Sequence, residues 1–206
     1  MKLLDQPQAP NPRRVNIFLA EKGIEVPREI FNIPKKEHLT DEIKGLNPTQ
    51  RLPILVLDDG TAISESIAIC RYFEELHPAP PLMGTTPVEK AKIEMWQRRA
   101  ELDVLGPIAA CFRHLHPAMA ELEVPQVPAW GEANRERAQK GLAMLDEQLR
   151  RNAFLAGETF SIADITALCD VDMMKLALIE MPADLTALMR WYEDVDARPS
   201  AKAGLA

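Results

Sequence analysis

The residues best suited to chemistry lie at the start of a predicted helix. Residues 9 to 23 read APNPRRVNIFLAEKG, in which Asn11 is followed closely by Arg13 and Arg14. A helix N-terminus presents unpaired backbone N–H groups and the positive end of the helix dipole, so it stabilises an anion such as a thiolate or a carboxylate. We therefore predict that this segment holds a negatively charged group of a ligand.

The segment has no hydroxyl or thiol of its own. Residues 1 to 30 contain no Ser, Thr, Tyr or Cys. A donor to a bound sulfur or oxygen must therefore come from Asn11 or from the backbone. Asn11 has a second possible role, because Asn is a favoured N-cap residue and Pro12 would suit the first helical position. The sequence alone leaves both roles open.

The cysteines do not indicate redox or metal chemistry. Cys70, Cys111 and Cys169 lie far apart, and the chain has no CxxC pair. This spacing argues against a zinc knuckle and against a redox dithiol, and it suits a reducing compartment. Each cysteine lies in an apolar helical stretch, so we expect three buried core thiols and no metal.

Charge and hydropathy exclude several classes of partner. The 206 residues include 24 Lys and Arg against 31 Asp and Glu, a net charge of −7. This balance gives no long-range attraction to nucleic acid or to an anionic membrane surface. No apolar run approaches the roughly 20 residues of a membrane span, and the N-terminal apolar stretch is too short for a signal peptide. We expect a cytoplasmic protein that binds neither nucleic acid nor membrane.

The chain divides into a region of mixed strands and helices and a region of helices alone, and these must position the residues described above. The first region mixes strands and helices, and the pattern predicts strands at 2–4, 28–33, 52–57 and 61–63, with helices at 12–22 and 65–76. A proline-rich stretch follows and is typical of a stiff linker. In the rest of the chain the pattern predicts only helices, at 88–116, 130–151, 161–179 and 183–197. The fold class is therefore α/β followed by all-α.

One helix of the second region has a recognisable start. The run FSIADI, residues 160 to 165, offers Ser161 as N-cap and Asp164 as the acid three residues later, with Phe160 and Ile165 as a hydrophobic staple. This is a capping box with Asp in place of Glu. We assign it to folding and not to chemistry.

These motifs together resemble the glutathione transferase family. The run NPTQRLPILVLDDGTAISESIAICRYFEELHP, followed by a helical region that contains FSIADI, carries the likeness, which covers essentially the whole chain. The resemblance implies a thioredoxin-like glutathione-binding domain at 1–78, a linker at 79–87 and a helical-bundle domain at 88–206. It also implies glutathione as co-substrate, a small electrophilic or disulfide substrate, and a homodimer.

The resemblance assigns roles to residues around the run just quoted. Pro53 matches the family's cis-proline, which turns the backbone of Leu52 toward the cysteinyl part of glutathione. Glu65 and Ser66 match the pair that holds the γ-glutamyl end. Ser64 or Ser66 would otherwise be a simple N-cap.

Two residues are candidates to bind the glycyl carboxylate. His38 and Arg51 fall where some family members bind it, and an arginine fork or an imidazole N–H suits a carboxylate. Both residues lie in polar stretches, so solvated surface positions are the alternative. Lys35, Lys36 and Gln50 are nearby substitutes.

Candidate residues of the second region are fewer. Asp103 matches an acidic residue that family dimers often lend to the partner's glutathione amine, although Glu101 is equally available. The electrophile pocket is expected to include Arg113 and His116, together with Ala9 of the first region.

The sequence departs from the family pattern at the thiol. Most members activate the glutathione thiol with a Tyr, Ser or Cys, whereas Ala9 stands where related sequences often have Ser or Thr. We therefore predict Asn11 as the catalytic donor in a glutathione transferase. The alternatives are a glutathione-dependent disulfide reductase or peroxidase, and a binding protein that has lost the chemistry.

Overall fold

The chain forms two compact units. The computed structural model describes residues 1–205. The first unit comprises Met1–Leu82 together with the residues from Arg198 onward, and the second comprises Met83–Ala197.

A four-stranded sheet and three helices make up most of the first unit. In chain order these elements are β1 (Lys2–Asp5), α1 (Pro10–Glu21), β2 (Arg28–Ile30), α2 (Asp41–Leu46), β3 (Ile54–Val56), β4 (Ala62–Ser64) and α3 (Ser66–Leu76). The strand order is β2-β1-β3-β4, with β1 parallel to β2 and the other pairs antiparallel. Because parallel strands need a crossover, α1 lies between β1 and β2 in the chain. This arrangement confirms the predicted thioredoxin-like class.

Apolar side chains of the sheet and of α1 are buried in the first unit. One cluster consists of Leu4, Ile43, Leu52 and Ile54, with partly buried side chains around it. The apolar stripe of α1, formed by Val15, Phe18 and Leu19, is buried, and α1 packs against α3. Burial of this apolar surface holds the starts of α1 and α3 in fixed positions.

The second unit is helical, as predicted. Its helices are α4 (Pro87–Arg99), α5 (Gly106–Leu115), α6 (Pro128–Leu149), α7 (Ile162–Met173) and α8 (Thr186–Asp196). The three cysteines are buried free thiols, which confirms their prediction as core residues.

The helix predicted over 88–116 is interrupted by a π-helical segment at Ala100–Leu105. Pro107 has no N–H for the carbonyl of Asp103, and its ring crowds that carbonyl, so a regular helix is disfavoured here. The backbone carbonyl oxygen of Asp103 lies so close to Gly141 of α6 that a Cβ at position 141 would be 2.1 Å from it. The interruption therefore brings the backbone of this segment close to α6.

One short helix of the first unit was not predicted. Residues 41 to 46 form α2, which Thr40 caps by accepting from the Ile43 N–H at 3.2 Å. Ile43 is the only buried residue of this six-residue helix. A single apolar position gives no periodicity, so the pattern did not indicate a helix.

The segment from Arg198 onward packs in the first unit, although the resemblance implied a helical domain that extends to residue 206. The guanidinium of Arg198 donates to both carboxylate oxygens of Glu21, at 2.9 and 2.8 Å. Arg13 of α1 donates to the Ala201 carbonyl at 3.0 Å. These long-range pairings attach the segment to α1.

The predicted capping box of α7 is present and buried. Asp164 accepts from the backbone N–H and the hydroxyl of Ser161, at 3.0 and 2.9 Å. Its other oxygen accepts from Leu155 N–H at 2.9 Å and from the Trp191 indole at 3.0 Å. Burial raises the pKa of Asp164 to about 6, and the hydrogen bonds oppose that rise. The Asp164 carboxylate thus connects the start of α7 with Leu155 in the preceding segment and with Trp191 of α8.

Candidate active site

Helix α1 begins earlier than predicted. Ala9 is its N-cap, with extended backbone angles, and Pro10 occupies the first helical position. The predicted cap role of Asn11 is therefore wrong. Pro10 explains the shift, because its fixed φ suits the first position and its missing N–H leaves nothing unpaired there. Asn11 lies one residue inside the helix and is exposed.

The start of α1 offers fewer backbone donors than a typical helix. Pro10 and Pro12 have no N–H, and the Arg13 N–H donates to the Ala9 carbonyl. Asn11 therefore has the only N–H of the first three helical residues. A hydroxyl at position 9 would be placed to accept from it, whereas the Ala9 methyl cannot. The missing hydroxyl thus leaves the Asn11 N–H available to a ligand.

Arg14 connects the starts of α1 and α3. Its guanidinium is fully buried, and one terminal nitrogen, Nη1, donates to Asn11 Oδ1 at 2.9 Å and to Ser66 Oγ at 2.7 Å. The structure therefore brings together Asn11 and Ser66, which the sequence indicated separately. The buried positive charge of Arg14 therefore lies within hydrogen-bond distance of both side chains.

The contacts of Arg14 are only partly indicated by the sequence. A signal for its position exists in the sequence, since Arg14 lies three residues after Asn11 and four before Phe18, on the apolar stripe of α1. Nothing in the sequence indicates its partner on α3, which lies 52 residues away.

Glu65 and Ser66 lie at the start of α3. Glu65 is the N-cap, is exposed, and has φ 68° and ψ 116°. A positive φ is strained for a residue with a side chain, and such strain is common at functional sites. Ser66 is the first helical residue and is buried, so the simple N-cap role is wrong for both Ser64 and Ser66.

The loop before β3 has the geometry expected of the cysteinyl site. The Leu52–Pro53 bond is cis, as the resemblance implied. Asn47 is buried and donates to the Arg51 carbonyl at 2.9 Å, which fixes the loop just before that bond. The Arg51 side chain is exposed.

His38 is buried, so its predicted alternative as a solvated surface residue is wrong. Only 8% of its surface is exposed, and its Nδ1 has no hydrogen-bond partner among residues 1–205. Burial lowers the pKa of His38, so the ring is neutral at pH 7. A neutral imidazole can donate one hydrogen bond to a ligand carboxylate.

The two acidic candidates of the second unit differ in their surroundings. Glu101 accepts from Arg98 at 2.6 Å and from Gln97 at 3.2 Å. Asp103 is exposed on the π-helical segment. The structure therefore favours Asp103 over Glu101 as a residue that reaches another molecule.

Arg113 and His116 take part in holding the turn after α5. Arg113 donates to Glu123 at 3.1 Å, and Gln126 donates to the carbonyls of Arg113 and His116 at 2.7 and 3.0 Å. The His116 ring accepts from the Ala118 N–H at 3.2 Å. Their placement in an electrophile pocket stays a prediction, as does that of Ala9.

Residues 1–205 contain neither a cluster of metal-binding side chains nor a helix that could span a membrane. Within residues 1–205, no group of three or more His, Cys, Asp or Glu side chains is arranged to hold a metal ion. None of the helices in this part of the chain has the length and apolar character needed to cross a bilayer.

The chain is similar to known glutathione transferases along most of its length. The family model of the glutathione S-transferase N-terminal domain matches residues 9–76, and that of the C-terminal domain matches residues 128–194. The chain is 38% identical to glutathione S-transferase 2 of Saccharomyces cerevisiae, over 98% of this chain and 88% of the yeast protein.

Solved structures agree with this similarity. A glutathione S-transferase domain-containing protein of Marinobacter aquaeolei is 39% identical, with a TM-score of 0.94 over 97% of this chain and 99% of the other. A class Gtt2 glutathione S-transferase of Vibrio parahaemolyticus is 34% identical, with a TM-score of 0.87 over 99% and 97% of the two chains. These relatives do not favour the reductase or binding-protein alternatives. The chain belongs to the glutathione S-transferase family and is a glutathione transferase.

Proposed function

We propose that this transferase activates glutathione through Asn11 and joins its sulfur to a small electrophilic carbon. The observation that carries this proposal is the pair of hydrogen bonds from Arg14 to Asn11 and Ser66. Both side chains use an oxygen to accept from Arg14. Each therefore keeps its own N–H or O–H for a ligand.

The amide of Asn11 is oriented by Arg14. A guanidinium has donors only, so the Asn11 atom that faces it must be the oxygen. The Asn11 NH2 group then points elsewhere and can donate to a thiolate, beside the backbone N–H of the same residue. A free thiol has a pKa of about 8.5, and hydrogen bonds to the thiolate lower it. Two donors from one residue thus replace the usual hydroxyl.

The start of α3 offers a partner for each of the two charges at the γ-glutamyl end of glutathione. Ser66 accepts from Arg14, so its hydroxyl proton is available to the ligand carboxylate, which also meets N–H groups at the start of α3. The exposed Glu65 carboxylate attracts the ligand ammonium. The backbone of Leu52 pairs with the cysteinyl part, and His38 and Arg51 bind the glycyl carboxylate.

The reaction needs little else from the protein. The thiolate attacks the electrophilic carbon, a sulfur–carbon bond forms, and the leaving group departs with the bonding electrons. Raising the thiolate fraction and holding the sulfur beside its target are the two contributions of the enzyme. We place the reaction in the cytoplasm, in keeping with three free thiols among the described residues.

Glutathione should protect the protein against heat. At 100 times its Kd, a ligand that binds only the folded state stabilises it by about 2.7 kcal/mol, which corresponds to a Tm increase of about 5–10 °C for a chain of this size. Ser66→Ala loses a hydrogen bond to a charged group, which weakens binding about 10- to 100-fold. At the same glutathione concentration the stabilisation should then fall to roughly 0.4–1.4 kcal/mol.

Differential scanning fluorimetry measures this effect. Ser64→Ala is the matched control, because Ser64 ends β4 and is not the residue that Arg14 contacts. The wild type and Ser64→Ala should show the same Tm increase. An unchanged Tm in the wild type at high glutathione would contradict binding itself.

Removing the Asn11 side chain should raise the pKa of the bound thiol. Loss of one hydrogen bond to a charged group is worth about 1.5–3 kcal/mol, or about one to two pKa units. Asn11→Ala should show this rise when thiolate absorbance is followed against pH. Asn11→Asp keeps an oxygen for Arg14 but has no NH2 group, so the thiol pKa should rise at least as far.

These variants also separate catalysis from folding. Asn11 is not the N-cap, but its oxygen accepts from the buried guanidinium of Arg14. Asn11→Ala should therefore lower the free energy of unfolding by about 1–3 kcal/mol, whereas Asn11→Asp keeps the acceptor and should change it little. A thiol pKa equal to that of the wild type in folded Asn11→Ala would mean that Asn11 is not the donor.

We further propose a homodimer in which Asp103 lies near the partner's glutathione amine. The exposed position of Asp103, beside the engaged Glu101, supports this choice. Light scattering at micromolar concentration should give twice the mass of the chain. A monomeric mass would refute the dimer.

A further inference from the structure

One side chain of the first unit joins two loops that both carry proposed glutathione contacts. Gln50 follows α2 in the chain, and its Nε2 donates to the Thr40 carbonyl at 3.1 Å, at the other end of that helix. Thr40 comes two residues after His38, and Gln50 directly precedes Arg51. The bond therefore connects the segment that carries His38 with the loop that carries Arg51.

The backbone of Gln50 is strained. Its φ is 51°, in the left-handed region, which a glycine adopts without steric cost and a glutamine adopts rarely. The Gln50 N–H donates to the Asn47 carbonyl at 2.9 Å, and the Asn47 side chain donates to the Arg51 carbonyl at 2.9 Å. Such strain persists only where surrounding contacts impose it, and it is common at functional sites. A glycine would fit this backbone better but could not make the bond to Thr40.

The acceptor of this bond is itself fixed. The Thr40 carbonyl also accepts from the Lys44 N–H at 2.9 Å, and the Thr40 hydroxyl accepts from the Ile43 N–H at the start of α2. Ile43 is buried in the apolar cluster with Leu4, Leu52 and Ile54. Gln50 therefore ties its loop to a part of the backbone that the core holds in place.

The two proposed contacts of the glycyl carboxylate lie on the two sides of this bond. His38 is buried, with Nδ1 unpartnered among residues 1–205, whereas the Arg51 side chain is exposed. Donors on separate loops bind one carboxylate well only when their separation suits it. A bond that fixes this separation before the ligand arrives reduces the entropy that binding costs.

We propose that Gln50 is a positioning residue that lets the transferase select glutathione over thiols that lack the glycyl residue. Its bond to Thr40 fixes the separation of the His38 segment and the Arg51 loop, so that both donors meet one carboxylate. The inference rests on the proposed binding of the glycyl carboxylate by His38 and Arg51.

Gln50→Met tests this role, because methionine has a similar length and no donor. With the full-length protein and a saturating aryl halide, the KM for glutathione should rise about two- to tenfold, the factor that one hydrogen bond between uncharged groups is worth, while kcat is unchanged. γ-Glutamylcysteine has no glycyl residue, so its KM should stay at the wild-type value. Gln50→Gly also loses the bond but relieves the positive φ, so it should show the same rise while folding at least as stably as Gln50→Met.

Leu178→Gly is the control for relief of strain. Leu178 also has a positive φ, 53°, but it belongs to the second unit, and this variant should keep the wild-type KM for both thiols. A second test uses His38→Leu. Because His38 and Arg51 are proposed to hold the carboxylate together, Gln50→Met should change the KM of folded His38→Leu less than it changes that of the wild type.

The outcomes separate this inference from the proposed function. A wild-type KM for glutathione in folded Gln50→Met would overturn the role of Gln50, as would an equal rise for both thiols, which would indicate a general effect on the fold. Fully additive effects of Gln50→Met and His38→Leu would mean that Gln50 acts independently of His38, and positioning would be wrong. If the wild type has the same KM for both thiols, the glycyl site itself is contradicted, and the inference fails with it. A wild-type preference for glutathione that both Gln50 variants reduce supports the inference.

Discussion

Arg14→Met should lower kcat/KM for glutathione by at least about 100-fold. The methionine side chain is similar in length but cannot donate to Asn11 or Ser66. Hydrogen bonds from a charged donor contribute about 1.5–3 kcal/mol each, and 1.4 kcal/mol corresponds to a factor of ten in rate. The loss should appear twice, as a higher KM for glutathione through Ser66 and as a higher pKa of the bound thiol through Asn11.

Steady-state kinetics with an activated aryl halide, together with thiolate absorbance against pH, measure both parts. Methionine fills most of the volume of the buried arginine, and water can reach the exposed Asn11, so we expect Arg14→Met to fold with a free energy of unfolding lower by about 1–3 kcal/mol. Arg13→Met is the matched control. It removes the neighbouring buried guanidinium, which donates to the Ala201 carbonyl, and should leave the thiol pKa unchanged. A folded Arg14→Met with normal KM and normal thiol pKa would disprove the role of Arg14.

Asp164→Ala should produce the largest loss of stability. The substitution leaves the Ser161 N–H, the Leu155 N–H and the Trp191 indole without their shared acceptor inside the protein. Buried donors without partners cost about 1–3 kcal/mol each, so the free energy of unfolding at pH 7 should fall by about 4 kcal/mol. Urea denaturation measures the change. A loss below 1 kcal/mol would mean that water or a rearranged neighbour replaces the carboxylate.

The chain contains a natural control for this prediction. Glu89 forms a second capping box with Thr86 at the start of α4, but in an exposed position. Water can replace the Glu89 carboxylate, so Glu89→Ala should destabilise the protein much less than Asp164→Ala. Equal losses in the two variants would show that burial does not determine the effect.

The loss caused by Asp164→Ala should also depend on pH. The pKa of Asp164 is about 6 in the folded protein, above the ordinary value of about 3.9 in the unfolded chain. The folded state therefore binds the proton more tightly, and Asp164 contributes less to stability as pH rises from about 4 to 6. The difference in unfolding free energy between wild type and Asp164→Ala should accordingly be larger at pH 4.5 than at pH 7.

Local signals in the sequence were sufficient for several features. The capping box of Ser161 and Asp164 involves two residues only three positions apart in the sequence. The buried stripe of α1 follows from apolar residues that recur with the period of a helix. The cis bond at Pro53 is different, because only the family resemblance indicated it.

Features that depend on distant pairing were not predictable from pattern. Arg14 meets Ser66 across 52 residues, and Arg13 meets Ala201 across 188. Periodicity describes which face of a helix is buried but not which residue it meets. The start of α1 was misplaced for a local reason, since Pro10 and Pro12 are both acceptable first helical residues.

The attachment of the segment from Arg198 to α1 affects the order in which the protein is completed during translation. The first 82 residues leave the ribosome early, but their unit lacks the partner of Glu21 until residue 198 has been made, 198 − 82 = 116 residues later. At about 5–20 residues per second, this interval lasts roughly 6–23 s. The helical unit ends at Ala197, so all of its residues are synthesised within that interval. The first unit is thus begun before the helical unit and completed after it.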